Sequence, residues 1–382
     1  MTEADLAHLS EQEAGLLRRT RAVAREALAP LAGRAEAGRV NRPLVLALAE
    51  TGLLGRLFNG EPGGRISALE LCLIREALAA ESTEAETAFA LQGLGSYPIL
   101  LAGSDEIADH WISRVARGEG VAAFALTEPD AGSDVASMTL SAERDGDGYR
   151  LSGAKTYISN APDADVYSLF ARTTAGAGAR GITAFAVPGD APGLAGERLD
   201  LLSPHPIGRL ELDGVHVPRE QVLGEVDGGF RVAMQTLDLF RPSVGAFAVG
   251  MAQAALEAAL EHAGRRHAFG RPLCEFQAVS HSLADMATRT QAARLLVHHA
   301  ARAYDSGVQP ITRQAAMAKL FATEAAQSVV DAAVQIHGAV ALERGHLLEH
   351  LYRDVRAPRI YEGTSEIQRE IISRQLYRER SG

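Results

Sequence analysis

Cysteine is nearly absent: Cys72 and Cys274 are the only two in 382 residues. Two thiols cannot build a disulfide framework or a four-thiolate zinc site, and they fit a reducing compartment. Lysine is as scarce. Lys155 and Lys319 stand alone against many Arg and Ala, a bias that reads as GC-rich coding rather than as function. Positive charge is in deficit overall, with 38 basic against 48 acidic residues and a formal charge of -10. Without a basic stripe, nucleic acid is not an expected partner. No stretch approaches the roughly 20 apolar residues of a membrane span, so none is expected. The opening MTEADLAHLSEQEAG has neither the basic start and apolar run of a secretory signal nor the Arg-rich start of a transit peptide, and a cytoplasmic protein is expected. What is present is ordinary for a folded chain: 47% hydrophobic and 23% charged residues, over a length that allows two or three domains.

The first third reads helical. Ser10-x-x-Glu13 is a capping box whose helix is expected to reach Leu28, with Pro30 as the stop. A second helix is expected over 43–50, ending before Gly52. The turn-rich NGEPGG at 59–64 precedes another capping box, Ser67-x-x-Glu70, with a helix to about Ala80. An apolar helical run covers 84–102, in which Gly93, Gly95 and Pro98 are expected to force a break or bend. Residues 104–117 complete this all-α region. The texture then changes. VAAFAL (121–126) is an apolar run, 149–152 alternates, and DGDG (145–148) is a turn signal between them. Short strands are expected at Val166–Arg172, 182–187 and 210–217. From about Gly228 the helical period returns in Ala- and Leu-rich segments at 246–263, 276–304, 313–337 and 345–355, a bundle pattern. The expected division is 1–119 helical, 120–226 β and 227–382 helical bundle.

Near the C-terminus, IYEGTSEIQ (360–368) reads as a short irregular segment feeding a terminal helix. Gly363 loosens the backbone, Thr364 can cap, and Glu366 sits in the first turn, where an acid is favoured. Glu362 therefore stands just outside a helix mouth. For an arbitrary Glu, that placement serves the helix dipole and is worth less than about 1 kcal/mol. This stretch, however, closely resembles the signature of the acyl-CoA dehydrogenases, where the Glu removes the α-proton of an acyl thioester. Helices, then β, then helices is that family's order. The resemblance covers essentially the whole chain and implies an α+β fold: an all-α N-terminal domain, a small β-barrel middle domain and a C-terminal four-helix bundle.

Further segments carry the resemblance. LTEPDAGSD (126–134) ends a strand in a tight turn whose Gly132 leaves backbone N–H groups open to a ligand, and it is close to the family's flavin-binding segment. The resemblance lays Phe124, Leu126 and Thr127 along the flavin ring of FAD, counts Gly132 with the cofactor, and sets Ser133 facing flavin and acyl-CoA. SGAKTYISN (152–160) resembles the family's NGxKxWITN strand, so Tyr157 would shield a flavin edge and Ser159 bond the ring. Tyr replaces the usual Trp there. LDLFRP (237–242) matches a segment beside the acyl-CoA, making Asp238 and Arg241 candidate substrate contacts, with Gly363 beside them. A minority of the family carries its base at the position of Phe240, and Phe cannot take a proton. RHAFGRPLCEFQ (266–277) resembles the run through which one subunit grips its neighbour's FAD, which implicates Arg266, Phe269, Phe276 and Gln277. Gln335, Gly338 and Ala339 of QIHGA, where the family usually has a second Gly for Ala339, would complete that site, with Thr364 and Glu366 also on the cofactor. HLLEH (346–350) fits an inverted zinc-peptidase pattern, but no metal is expected, because in the family these residues occupy a bundle connection.

The resemblance thus implies FAD-dependent α,β-dehydrogenation of an acyl-CoA, with Glu362 as base and thioester-oxygen donors that include its own backbone N–H. It also implies a homo-oligomer, dimer or tetramer, and electron-transferring flavoprotein as the usual electron acceptor. An acyl-CoA oxidase, an acyl-carrier-protein dehydrogenase and a non-catalytic scaffold of the same fold remain alternatives. Ala90 falls near the family's acyl-pocket floor, and the LLSPHPIGR segment (201–209) departs from the family's usual wording, so the acyl group stays open.

Overall fold

The computed structural model describes residues 2–34, 36–58, 66–203, 205–308 and 310–381; the turn expected at 59–64 lies outside them. The first capping box forms as its residues require: Ser10 accepts from the Glu13 N–H, and the Glu13 carboxylate returns to the Ser10 N–H, opening α1 (Glu11–Val23). Pro30 does not stop this helix. The chain passes through a wider-wound turn at Ala24–Leu28 into α2 (Ala29–Ala32), a way of absorbing the N–H that proline lacks. Asn41 caps α3 (Arg42–Glu50), and a short α4 (Leu53–Arg56) follows Gly52. Ser67 caps α5 (Ala68–Ala79), and Asp305 adds to the cap by accepting from the Ser67 hydroxyl and the Ala68 and Leu69 N–H groups.

The next helix, α6 (Thr83–Ala102), runs unbroken through Gly93, Gly95 and Pro98. Here packing overrides propensity. A Cβ on Gly95 would come within 2.5 Å of the Ala123 nitrogen, so this glycine permits close approach to a strand rather than a break. Ser168 Oγ donates to the Gly95 carbonyl at 2.6 Å, and Gln92 accepts from the Ala122 N–H at 3.0 Å, fastening helix to strand. Ser104 caps α7 (Asp105–Ala116).

Eight strands form one sheet: β1 (Ala122–Ala125), β2 (Ser141–Asp145), β3 (Gly148–Ser159), β4 (Val166–Arg172), β5 (Ile182–Pro188), β6 (Leu194–Arg198), β7 (Ile207–Val217) and β8 (Val222–Leu223). Their order is β6-β7-β3-β2-β4-β5-β8, with β1 parallel beside β4. The DGDG turn joins β2 to β3, not β1 to the strand at 149. β2 and β6 are absent from the sequence expectation because SAERD and LAGER are polar, and only the pairing of their neighbours shows them as strands. The sheet's core includes Leu151, Leu169 and Val215, with the Tyr149 and Phe185 rings edge to face at 5.4 Å. Each such side chain contributes roughly 1.5–3 kcal/mol of burial.

The chain ends in α8 (Gly229–Arg265), the two-residue strands β9 (His267–Ala268) and β10 (Arg271–Pro272), α9 (Gln277–Asp305), α10 (Thr312–His337), α11 (Leu347–Asp354) and α12 (Ser365–Ser381). α8 corrects one expectation. It is long and apolar enough to cross a membrane, yet 83% of its apolar window is buried inside the protein, as in a core helix. By contacts the chain forms two compact units: Met1–Ala29, Ser67–Glu86 and Asp238–Gly382 make one, and Pro30–Ile66 with Thr87–Leu237 the other.

Candidate active site

In the first unit the candidate base stands on the short link into α12. Thr364 caps that helix by accepting from the Ile367 N–H at 3.3 Å. To enter the cap, the chain takes left-handed backbone twice in succession, at Glu362 (φ +52°) and Gly363 (φ +93°). Glycine tolerates this; Glu does so at a cost of order 1–3 kcal/mol unless its surroundings dictate it. They do. The Glu362 carbonyl accepts from Arg241 Nε at 3.4 Å and Gln368 Nε2 at 3.1 Å. The Gly363 carbonyl accepts from Lys319 Nζ at 2.6 Å and Gln368 Nε2 at 2.9 Å. The turn is thus gripped by its backbone, which leaves the Glu362 carboxyl uncommitted.

Glu362 is half-buried, and one oxygen of its carboxyl, Oε2, is shielded from water without a hydrogen-bond partner. Burial pushes its pKa up, while the positive charges of Arg75, Lys319 and Arg241 pull it back. The cations are themselves buried. Arg75 pairs through Nε with Glu86 and donates from Nη1 to Ser243 Oγ at 2.6 Å, and that hydroxyl donates in turn to the Phe240 carbonyl at 2.7 Å. Phe240 is fully buried. Lys319 is fully buried too, and burial brings its pKa down to about 8. The candidate substrate contacts Asp238 and Arg241 engage each other at 3.0 Å, and Thr312 donates to Asp238 at 2.8 Å. Burial pushes the Asp238 pKa up against these partners.

In the second unit, β1 carries the half-buried Phe124, whose ring lies 5.0 Å from that of Phe170, and ends just before Leu126 and Thr127. Glu128 and Ala131 close the tight turn with mutual backbone bonds of 3.2 Å, leaving Gly132 and Ser133 exposed. A buried ion pair underpins this segment. Lys155 Nζ donates to the Leu126 carbonyl and to Glu128 Oε1, both at 2.9 Å. The Glu128 carboxylate also accepts from the Thr139 N–H and hydroxyl and from the Leu140 N–H. Burial brings the Lys155 pKa down to about 8, and Glu128 stays ionised against its own burial through these partners. A register shift between Lys155 and Ile158 on β3 turns Tyr157 outward, 58% exposed on left-handed backbone (φ +55°), with Ser159 half-buried two residues on.

The remaining candidates belong to the first unit. Phe269 is 96% exposed with φ +49°, its ring 6.2 Å from that of Phe276, over which the Arg271 guanidinium lies at 4.2 Å. Arg266 and Gln277 flank this hairpin and are exposed, as are Gln335, Gly338 and Ala339. Left-handed backbone falls on Gly338 (φ +68°) and not on Ala339. Thr364 and Glu366 line a shallow depression with Arg356, Arg359 and Ile360. His346, Glu349 and His350 turn to separate partners: His346 caps α11, Glu349 pairs with Arg353, and His350 meets Thr83 and Asp354.

Sequence reasoning missed Arg75, Lys319, Gln368, Glu128 and Lys155. A signal was available for two of them. The only two lysines are both fully buried, and each donates to a backbone carbonyl of a segment that carries candidate site residues.

Three family models match the chain in order: the acyl-CoA dehydrogenase N-terminal domain over residues 10–119, the middle domain over 123–215 and the C-terminal domain over 227–377. The chain is 36% identical over 370 residues to cyclohexane-1-carbonyl-CoA dehydrogenase of Geobacter metallireducens, spanning 94% of this chain and 96% of that relative. Butyryl-CoA dehydrogenase from Megasphaera elsdenii superposes with a TM-score of 0.91 at 34% identity, over 97% of this chain and 99% of its own. A structure described as the FAD complex of PigA gives a TM-score of 0.91 at 30% identity, over 96% and 98% of the two chains.

Proposed function

Since the chain belongs to the acyl-CoA dehydrogenase family, we propose that it catalyses FAD-dependent α,β-dehydrogenation of an acyl-CoA to the trans-2-enoyl thioester, with Glu362 as the base. One observation carries this reading: a water-shielded carboxylate oxygen without a partner, on a turn gripped only through its backbone. A carboxylate placed for structure would be engaged. Burial raises its proton affinity toward that of a working base, and the neighbouring cations oppose the rise. In taking the α-proton Glu362 leaves enolate charge on the thioester oxygen. Its own N–H, which meets no acceptor among the described residues, is available to that oxygen.

The donor set fits FAD. Tyr157 holds an exposed ring on strained backbone, a conformation retained where a ligand uses it. Phe124, Leu126, Thr127, Gly132, Ser133 and Ser159 would hold the ring system. Arg266, Phe269, Phe276, Gln277, Gln335, Gly338, Ala339, Thr364 and Glu366 would hold the dinucleotide, some of them from a second copy of the chain. FAD, when bound, supplies the two-electron oxidant that accepts the β-hydrogen with its bonding pair. Asp238 and Arg241 line the acyl side, Arg241 acting through the Glu362 carbonyl. Electron-transferring flavoprotein is the proposed electron acceptor.

The test is anaerobic. Acyl-CoAs of straight, branched, cyclic and dicarboxylic type are mixed with the yellow protein, and bleaching of the flavin band is followed. Glu362→Gln is expected to retain FAD and thioester binding and to slow bleaching by at least about 10²–10⁴-fold. Near-normal bleaching would refute the base assignment, and rapid recovery of colour in oxygen would make the protein an oxidase.

A further inference from the structure

Lys319 presents an imbalance. A fully buried ammonium is ordinarily matched by a carboxylate, yet among the described residues the only hydrogen-bond partner of Lys319 Nζ is the Gly363 carbonyl at 2.6 Å. Four charged groups face it: Arg241 from α8, Glu324 from α10 itself, Glu366 from α12 and Glu362 from the turn. Three are committed or remote. Arg241 is a like charge engaged with Asp238, Glu324 accepts from Ser365 Oγ at 2.6 Å and pairs with Arg359 at 2.9 Å, and the Glu366 side chain is 81% exposed. What is left is the Glu362 carboxylate, itself without a partner at Oε2.

We propose that Lys319 is a positioning residue for the base: its Nζ pins the Gly363 carbonyl, fixing the left-handed Glu362–Gly363 turn, and its charge is the counter-charge of the Glu362 carboxylate. The proposal rests on the reading of Glu362 as the base. It divides the work among the groups that grip the turn. Gln368 and Arg241 supply hydrogen bonds to the Glu362 carbonyl, and Lys319 adds a charge that faces the carboxylate, with no other free anion beside it among the described residues. Arg75, which also faces Glu362, is already neutralised by Glu86.

With only two lysines in the chain, holoenzyme grown on ¹³C-lysine shows two ε-methylene resonances, and Lys319→Gln assigns them. The Lys319 resonance is expected to titrate near pH 8 and, in Glu362→Gln, to move lower by at least about half a pH unit, because the anion is gone. Reciprocally, Lys319→Met is expected to lower kcat at least about tenfold with little change in KM, through a mispositioned base. It should also move the acid limb of the kcat profile to higher pH. Lys319→Gln keeps a donor for Gly363, so it should recover most of kcat while retaining the shifted limb. A Lys319 titration unchanged by Glu362→Gln, an unmoved acid limb in both variants, or a kcat loss that only follows FAD content would each overturn the proposal. Should Glu362→Gln remain active, the base assignment fails separately, and the resonance still reports whether the two groups are coupled.

Discussion

The buried pair beneath the 126–133 segment allows a prediction whose order and pH dependence both follow from the geometry. In Glu128→Gln, Lys155 loses its anion and is left with neutral acceptors alone: the Leu126 carbonyl, the amide oxygen of the new side chain and the Met138 sulfur at 3.9 Å. Leaving a buried charge unmatched costs roughly 3–5 kcal/mol. In Lys155→Met, Glu128 keeps three donors, the Thr139 N–H and hydroxyl and the Leu140 N–H, so the cost is nearer 1–3 kcal/mol. Glu128→Gln should therefore be the worse variant, with a midpoint loss of about 2–4 °C per kcal/mol for a unit of this size. Lys155 titrates at about 8 in the folded protein against an ordinary 10.5, and without Glu128 it gives up its proton lower still. Over that window the unfolded chain binds the proton and the native state does not, so stability rises with pH. Relative to wild type, Glu128→Gln should recover up to about 1.4 kcal/mol per pH unit as the pH rises to about 8, above which Lys155 is deprotonated in both native proteins and the two gain alike. Denaturant unfolding at pH 7, 8 and 9 reads all of this. Equal costs for the two variants, a larger cost for Lys155→Met, or a flat pH dependence would refute the reasoning.

Other expectations follow from single positions. Gly363→Ala sets a Cβ at φ +93° and 2.6 Å from Gln368 Nε2, so roughly 1–3 kcal/mol of strain should appear as lost thioester-dependent flavin reduction while the overall fold survives; normal reduction would show that the turn is not fixed. Phe269→Ser removes an exposed ring with little intramolecular contact, so unfolding of the apo chain should change by less than about 0.5 kcal/mol. FAD retention on gel filtration should fall in the same variant, and unchanged retention would remove Phe269 from the cofactor site.

How far the sequence carried depended on whether the information was local. Val166–Arg172 and Val121 onward were legible because burial on both faces writes a continuous apolar run. β2 and β6 were not, since a polar strand is defined by its neighbours' hydrogen bonds. Pro30 read as a stop and Pro98 as a break or bend, but a single missing N–H is a small loss against the packing of the helix that contains it. The site shows the same division. The Glu362 turn, with its glycine and threonine cap, lies in nine consecutive residues and could be read whole. The groups that grip it, Lys319 and Arg241, lie 44 and 121 residues away in sequence, and Arg75 lies farther still. No periodicity announces that helices α5, α8 and α10 bring three cations to one carboxylate.

Proton removal can be measured apart from oxidation. The holoenzyme is incubated anaerobically in D₂O with an acyl-CoA, and deuterium entering the α-carbon is followed by NMR in wild type and in Glu362→Gln with matched FAD content. If Glu362 takes the α-proton, the wild type exchanges it and the variant does so at least about a hundredfold more slowly; equal exchange in the two proteins would contradict the role given to this carboxylate.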